Sequence, residues 1–151
     1  MAKLRGDNGT HDLLNWQPPK VAAGFAAGVI RGSRLASQIS QSVAQALKSS
    51  DMSRAEVAAA MSAELGYPVS ENMLANYASE GAEAHRITLE RFIVLIEVTG
   101  CIDLLGFIAA KFDRVVVDRR YQALINVHLA EEAESRIEKF KAAEKAKWQA
   151  I

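Results

Sequence analysis

SRAEVAAAMSAELGYPVSENMLANYAS, residues 53–79, is the stretch that decides the fold. Ser53 followed by Glu56 matches a capping box, in which a serine hydroxyl and a glutamate carboxylate each take up a backbone N–H that the helix start leaves free. Val57, Met61 and Leu65 then recur every four residues and give that helix one apolar face. Gly66 suits the left-handed residue that ends it, and Pro68 blocks continuation. Ser70 caps a shorter second helix whose Met73, Leu74 and Tyr77 face inward. Two helices joined by a Gly-Tyr-Pro-Val turn are therefore expected.

On the N-terminal side, Leu35, Ile39, Val43, Ala46 and Leu47 predict an amphipathic helix over residues 34–48, closed by Ser49-Ser50-Asp51. Residues 21–30 (VAAGFAAGVI) allow either a short buried helix or an irregular apolar segment, followed by a break at Gly32-Ser33. Residues 1–19 are polar and end in Pro18-Pro19. They read as a disordered start and an extended arm, with Leu13, Leu14 and Trp16 free to dock on the core.

On the C-terminal side, residues 81–86 form a loop and Thr88 caps LERFIVLIEVT, whose Phe92, Ile93, Leu95, Ile96 and Val98 are expected to make it the most buried helix of the domain. Gly100 ends it, and Asp103 is expected to cap LLGFIAAKF. Val115-Val116-Val117 suits a short strand or an extended connector. No Gly or Pro interrupts residues 119–149, which predict one long helix of up to about 45 Å. Its Tyr121, Leu124, Ile125, Val127 and Leu129 are expected to pack on the core. Ile137, Phe140 and Trp148 are too sparse for a heptad seam. The resulting plan is all-α: an N-terminal arm (1–32), a five-helix core (33–112), and a connector with a long C-terminal helix (113–151).

Composition excludes several function classes. The chain has 151 residues, of which half are hydrophobic, and one cysteine, Cys101. A single cysteine rules out an intramolecular disulfide and a cysteine-based zinc site, and fits a reducing cytoplasm. The longest apolar run is half of the ~20 residues that span a bilayer. His11, His85 and His128 lie far apart with no matching carboxylate spacing, so neither a metal nor another cofactor is expected. Ser33, Ser37 and Ser40 lack a nucleophile-elbow context, and no glycine-rich phosphate loop occurs. No enzyme is expected.

A helix pair of this size in a small helical domain can place its second helix in the major groove of duplex DNA. Ala58 or Ser62 supplies the small residue at the helix crossing, Gly66 the turn, and Leu74 with Tyr77 the inward pair. Ser70, Glu71, Asn72, Asn76 and Ser79 are left on the reading face. Asparagine bonds adenine bidentately, and serine contacts phosphates and bases. Glu71 suits the helix dipole and can accept from cytosine, although it repels phosphate. Lys48, Arg54, Arg86 and Arg91 are candidate phosphate contacts. The spacing from Ala58 to Leu74 is longer than in the compact motif, which lengthens the first helix by about a turn.

The segment SRAEVAAAMSAELGYPVSENMLANYASE, followed by HRITLERFIVLIEVTGCIDLLGFIA and preceded by DLLNWQPP, resembles the lambda-repressor-like helix-turn-helix proteins of phages. It is most similar to small proteins of Mu-like prophages, over roughly residues 12–120. The resemblance implies a five-helix helix-turn-helix fold, binding to double-stranded DNA, transcriptional regulation of phage genes and a homodimer. Charge weighs the other way. Net charge is zero, and residues 33–112 carry six basic against nine acidic side chains, whereas nucleic-acid binders are usually basic. The alternative is a protein–protein interaction module that keeps the fold without DNA affinity. Neither reading involves a membrane.

Overall fold

Three of the core helices begin at a residue whose side chain caps them. The computed structural model describes residues 20–150; the expectations for the leading residues, including Leu13, Leu14, Trp16 and His11, lie outside them. The core consists of α1 (Leu35–Ser49), α2 (Arg54–Leu65), α3 (Glu71–Tyr77), α4 (Leu89–Thr99) and α5 (Asp103–Ala110). The Ser53–Glu56 capping box is complete at the start of α2: the Ser53 N–H donates to Glu56 Oε2 at 2.7 Å, and the Glu56 N–H donates to Ser53 Oγ. Ser70 and Thr88 cap α3 and α4 through their side chains. Gly66 and Gly100 end α2 and α4 at φ 74° and 65°, where a side chain would be strained.

The core is built from Val43, Ala46 and Leu47 of α1, Val57, Ala58 and Met61 of α2, and Leu74 and Tyr77 of α3. Phe92, Val94, Leu95 and Ile96 of α4 and Leu104 of α5 complete it. Met61, Leu74, Leu95 and Leu104 are fully buried. The burial of large aliphatic side chains, not alanine, accounts for most of the hydrophobic stabilisation.

Residues 21–30 are mainly irregular. Ala22–Ala23 form strand β1, which pairs antiparallel with β2 (Val116–Val117), Ala22 opposite Val117 and Ala23 opposite Val116. Both strands pack on α5. At that contact a methyl group on Gly106 would overlap the Ala23 carbonyl and the Gly24 nitrogen, so the backbone of β1 lies directly on the helix.

Asp103 does not cap α5. The N-cap is Ile102, with no side-chain cap. The Asp103 carboxylate instead accepts from Lys20 Nζ at 2.6 Å and from the Gly24 N–H at 2.9 Å. Burial acts to raise its pKa, but the Lys20 and Gly24 hydrogen bonds outweigh it and hold the carboxyl below the ordinary range. The first turn of α5 is thus spent on tertiary attachment.

The long helix α6 (Gln122–Gln149) follows a 3-10 turn (Arg119–Tyr121) capped by Asp118. It extends about 42 Å at 1.5 Å per residue. Docking on the core, expected for its first part, does not occur: Leu124 is 64 % exposed and Val127 54 %, and every residue of α6 is exposed. The reason lies at the start of the helix. Tyr121, Leu124, Ile125 and Leu129 share one face at spacings of three and four, but α6 contacts chiefly the 3-10 turn that precedes it, so that face stays in solvent. Local ion pairs such as Arg136–Glu132 and Lys141–Glu138 line its surface, each worth a few tenths of a kcal/mol.

Replacing Leu95 by alanine should lower unfolding free energy by about 2–5 kcal/mol in urea titration, as expected for a fully buried leucine. Gly106→Ala should also destabilise the protein and specifically raise hydrogen exchange at residues 22–24, because β1 must lift from α5. Unchanged exchange there would refute the close contact.

Candidate nucleic-acid interface

The turn between α2 and α3 is held by one side chain. Ser62, in the last full turn of α2, donates to the Ala58 carbonyl at 2.7 Å and accepts the Val69 N–H at 2.8 Å. Val69 is buried, so that N–H has no water to bond and depends on the serine hydroxyl. Pro68 stays outside in the exposed bend, and the chain enters α3 at Ser70. Ala58, Leu74 and Tyr77 are all buried, in agreement with the small residue and inward pair expected from the sequence.

The candidate reading residues fall into two groups. Ser70, Glu71, Asn72 and Ser79 are exposed, while Asn76 is half-buried. The Ser70 oxygen accepts the Met73 N–H at 3.2 Å, so the hydroxyl caps α3 and retains its proton for donation. Glu71 lies in the first turn. The exposed α6 does not cover this face.

The candidate phosphate contacts are distributed unevenly. Lys48, in the last turn of α1, and Arg54, the first residue of α2, are exposed on either side of the α1–α2 turn. Arg86 is exposed at the end of the loop before α4. Arg91 is not a free surface cation. Its guanidinium carbon sits 5.4 Å from the Tyr67 ring centre and 5.9 Å from that of Tyr77, and one Nη donates to the Tyr77 hydroxyl. Hydrogen bonding by Tyr67 outweighs the loss of solvation and raises the basicity of this arginine. Its Nε is buried without a hydrogen-bond partner. Asn76, Arg86 and Arg91 converge, with His85, on one small pocket of about 180 Å³.

Sequence reasoning missed Tyr67 and Glu80. Tyr67 stacks on Arg91 and donates to Glu90 at 2.8 Å; its place beside Gly66 in the turn was visible, but its partners, more than twenty residues on, were not. Glu80 accepts from the Ser37 hydroxyl and from Gln41 Nε2, which ties the loop after α3 back to α1. These two donors, Ser37 foremost, hold the Glu80 carboxyl below the ordinary carboxylate range, as the Ser53 bonds do for Glu56.

Among the described residues, no group of three or more His, Cys, Asp and Glu side chains is placed to hold a metal ion, and no helix is long and apolar enough to cross a membrane. No protein-family model, curated protein or solved structure matches the chain. The site must be read from its own geometry.

Ser62→Ala should cost about 1–3 kcal/mol, the penalty for a buried unpaired donor at Val69, in chemical denaturation with circular dichroism. A loss no larger than that of an exposed serine would refute the clamp. The depressed carboxyls set the direction of pH dependence. A folded-state pKa below the unfolded value, about 4.3 for glutamate, gives stability that is fully present above the unfolded value and lost as pH falls through the folded one. The melting temperature should therefore hold steady at neutral pH and fall on acidification below about 4.3, and Glu56→Gln with Glu80→Gln should flatten that limb.

Proposed function

We propose that the chain is a DNA-binding transcriptional regulator of phage type, with α2 and α3 acting as its helix-turn-helix. The observation that carries this reading is the solvent face of α3: Ser70, Glu71 and Asn72 project from a helix whose entry is pinned by Ser62 and whose back is buried through Leu74 and Tyr77. A preorganised polar ridge loses little entropy on docking. A helix of about 10–12 Å in diameter, such as α3, fits a major groove about 12 Å wide. Asn72 and Asn76 would read adenine edges, and Lys48, Arg54 and Arg86 would neutralise phosphates.

Zero net charge makes one copy a weak binder, so two linked half-sites are part of the proposal. The exposed Phe140 and Trp148 of α6 support a homodimer joined through that helix, since tethering multiplies affinity without new DNA contacts. A regulator of this kind works in the cytoplasm.

A second reading is favoured by a different observation. An apolar groove of about 370 Å³ lies between α1, α4 and α5, with Leu35, Leu89 and Phe112 exposed at its edges. Together with the uncovered α6, it supports a protein-interaction module.

Fluorescence anisotropy with prophage promoter duplexes separates the two. The regulator should bind a specific duplex far more tightly than random sequence, with affinity falling steeply with salt. Asn72→Ala with Asn76→Ala should remove about 1–3 kcal/mol of discrimination per lost bidentate contact, while Lys48→Gln should weaken all duplexes alike. Equal affinity for every duplex at low salt would reject the regulator and leave the interaction module.

A further inference from the structure

The pocket at the C-terminal end of α3 has a chemistry of its own. Its polar lining comes from three separate segments: Asn76 from α3, His85 and Arg86 from the following loop, and Arg91 from α4. No carboxylate lines it; Glu90 accepts from Tyr67 and Glu80 from Ser37 and Gln41, while Glu80 and Glu83 lie with Arg86 around a neighbouring pocket. Arg91 is fixed in place by two tyrosine rings and the Tyr77 hydroxyl, yet its Nε remains buried without a partner. A guanidinium offers donors in a fixed fork that matches two oxygens of one phosphate. With one Nη on Tyr77 and the Nε out of reach of solvent, a ligand meets the part of the Arg91 guanidinium that lines the pocket.

We propose that this pocket is a phosphate-binding site that accepts one backbone phosphodiester of duplex DNA, held by Arg91 and Arg86 with His85 alongside. Size supports a single phosphate group: about 180 Å³ falls below the 300–1,000 Å³ of pockets that enclose whole small molecules. The group it takes belongs to something that continues along the outside. A phosphate seated beside the end of α3 would fix the depth and register of that helix, which is the role of backbone contacts in DNA recognition. The identity of the phosphate donor rests on the regulator proposal; the affinity of the pocket for phosphate does not.

The test uses the full chain labelled with 15N, in which the Nε–H of Arg91 gives its own NMR signal. Inorganic phosphate and a short duplex are titrated separately, with sodium chloride at matched ionic strength as control. Both additions should shift the Arg91 Nε–H and the Asn76 side-chain amide, and chloride should not. Arg86→Gln, an exposed change that spares the core, should weaken both responses and reduce the slope of log affinity for duplex against log salt by about 1. Phosphate shifts without any duplex response would uphold the pocket and defeat the DNA donor. A duplex that shifts the amides of α3 but leaves Arg91 unmoved would overturn the pocket while sparing the regulator. Silence of Arg91 toward both ligands would overturn it outright.

Discussion

The hydroxyl of Ser62 holds the piece of backbone on which the rest of the candidate surface depends. Without it, the Val69 N–H would be buried with nothing to bond. With it, a five-residue connection that contains an exposed proline delivers α3 at one defined angle. The ordering of α3 cannot come from its own propensity, because a helix of two turns is unstable in isolation. It comes from Leu74 and Tyr77 behind, Ser70 at the start and Ser62 below.

A second set of contacts fixes the far end of the same helix. Tyr77 lies under Arg91, Tyr67 covers the guanidinium from the turn, and Glu80 anchors the exit loop to Ser37 and Gln41 of α1. The two tyrosines join the entry of α3 to its exit through one cation. Much of the acidic excess of residues 33–112 is occupied in this scaffolding: Glu56, Glu80, Glu90 and Asp103 each accept an intramolecular hydrogen bond. They are therefore placed by structural needs; Asp103 is offset by Lys20, while the three glutamates accept from neutral donors and keep their charge.

The local grammar of the sequence was readable. Ser53 with Glu56, Gly66, Ser70, Thr88 and Gly100 are boundary signals that act within four residues of themselves, and each falls where expected. Features that depend on distant partners were not readable. Asp103 looks like a cap because an acid before LLGF usually is one; its actual partners, Lys20 and Gly24, are about eighty residues away in sequence. Arg91 looks like a surface cation until Tyr67 and Tyr77 enclose it. The apolar stripe of residues 121–129 suggested packing, but the direction in which the 3-10 turn launches the helix leaves it exposed, and that direction is a property of the fold. Of the candidate site, the exposed ridge followed from helix periodicity, while the convergence of Asn76, Arg86 and Arg91 required the fold.

The pairing of β1 with β2 has a topological consequence. The chain meets itself at this two-residue ladder just before it enters the helical core and just after it leaves, so residues 24–115 form a loop closed without a covalent link, by the ladder and by its packing on α5. Such a closure makes both ends of the core cooperative with each other: loosening one releases its counterpart, and with them the attachment of α5. Segments from both sides of the helical core are thus fastened to α5, one through the Asp103 carboxylate and both through the ladder that lies on that helix.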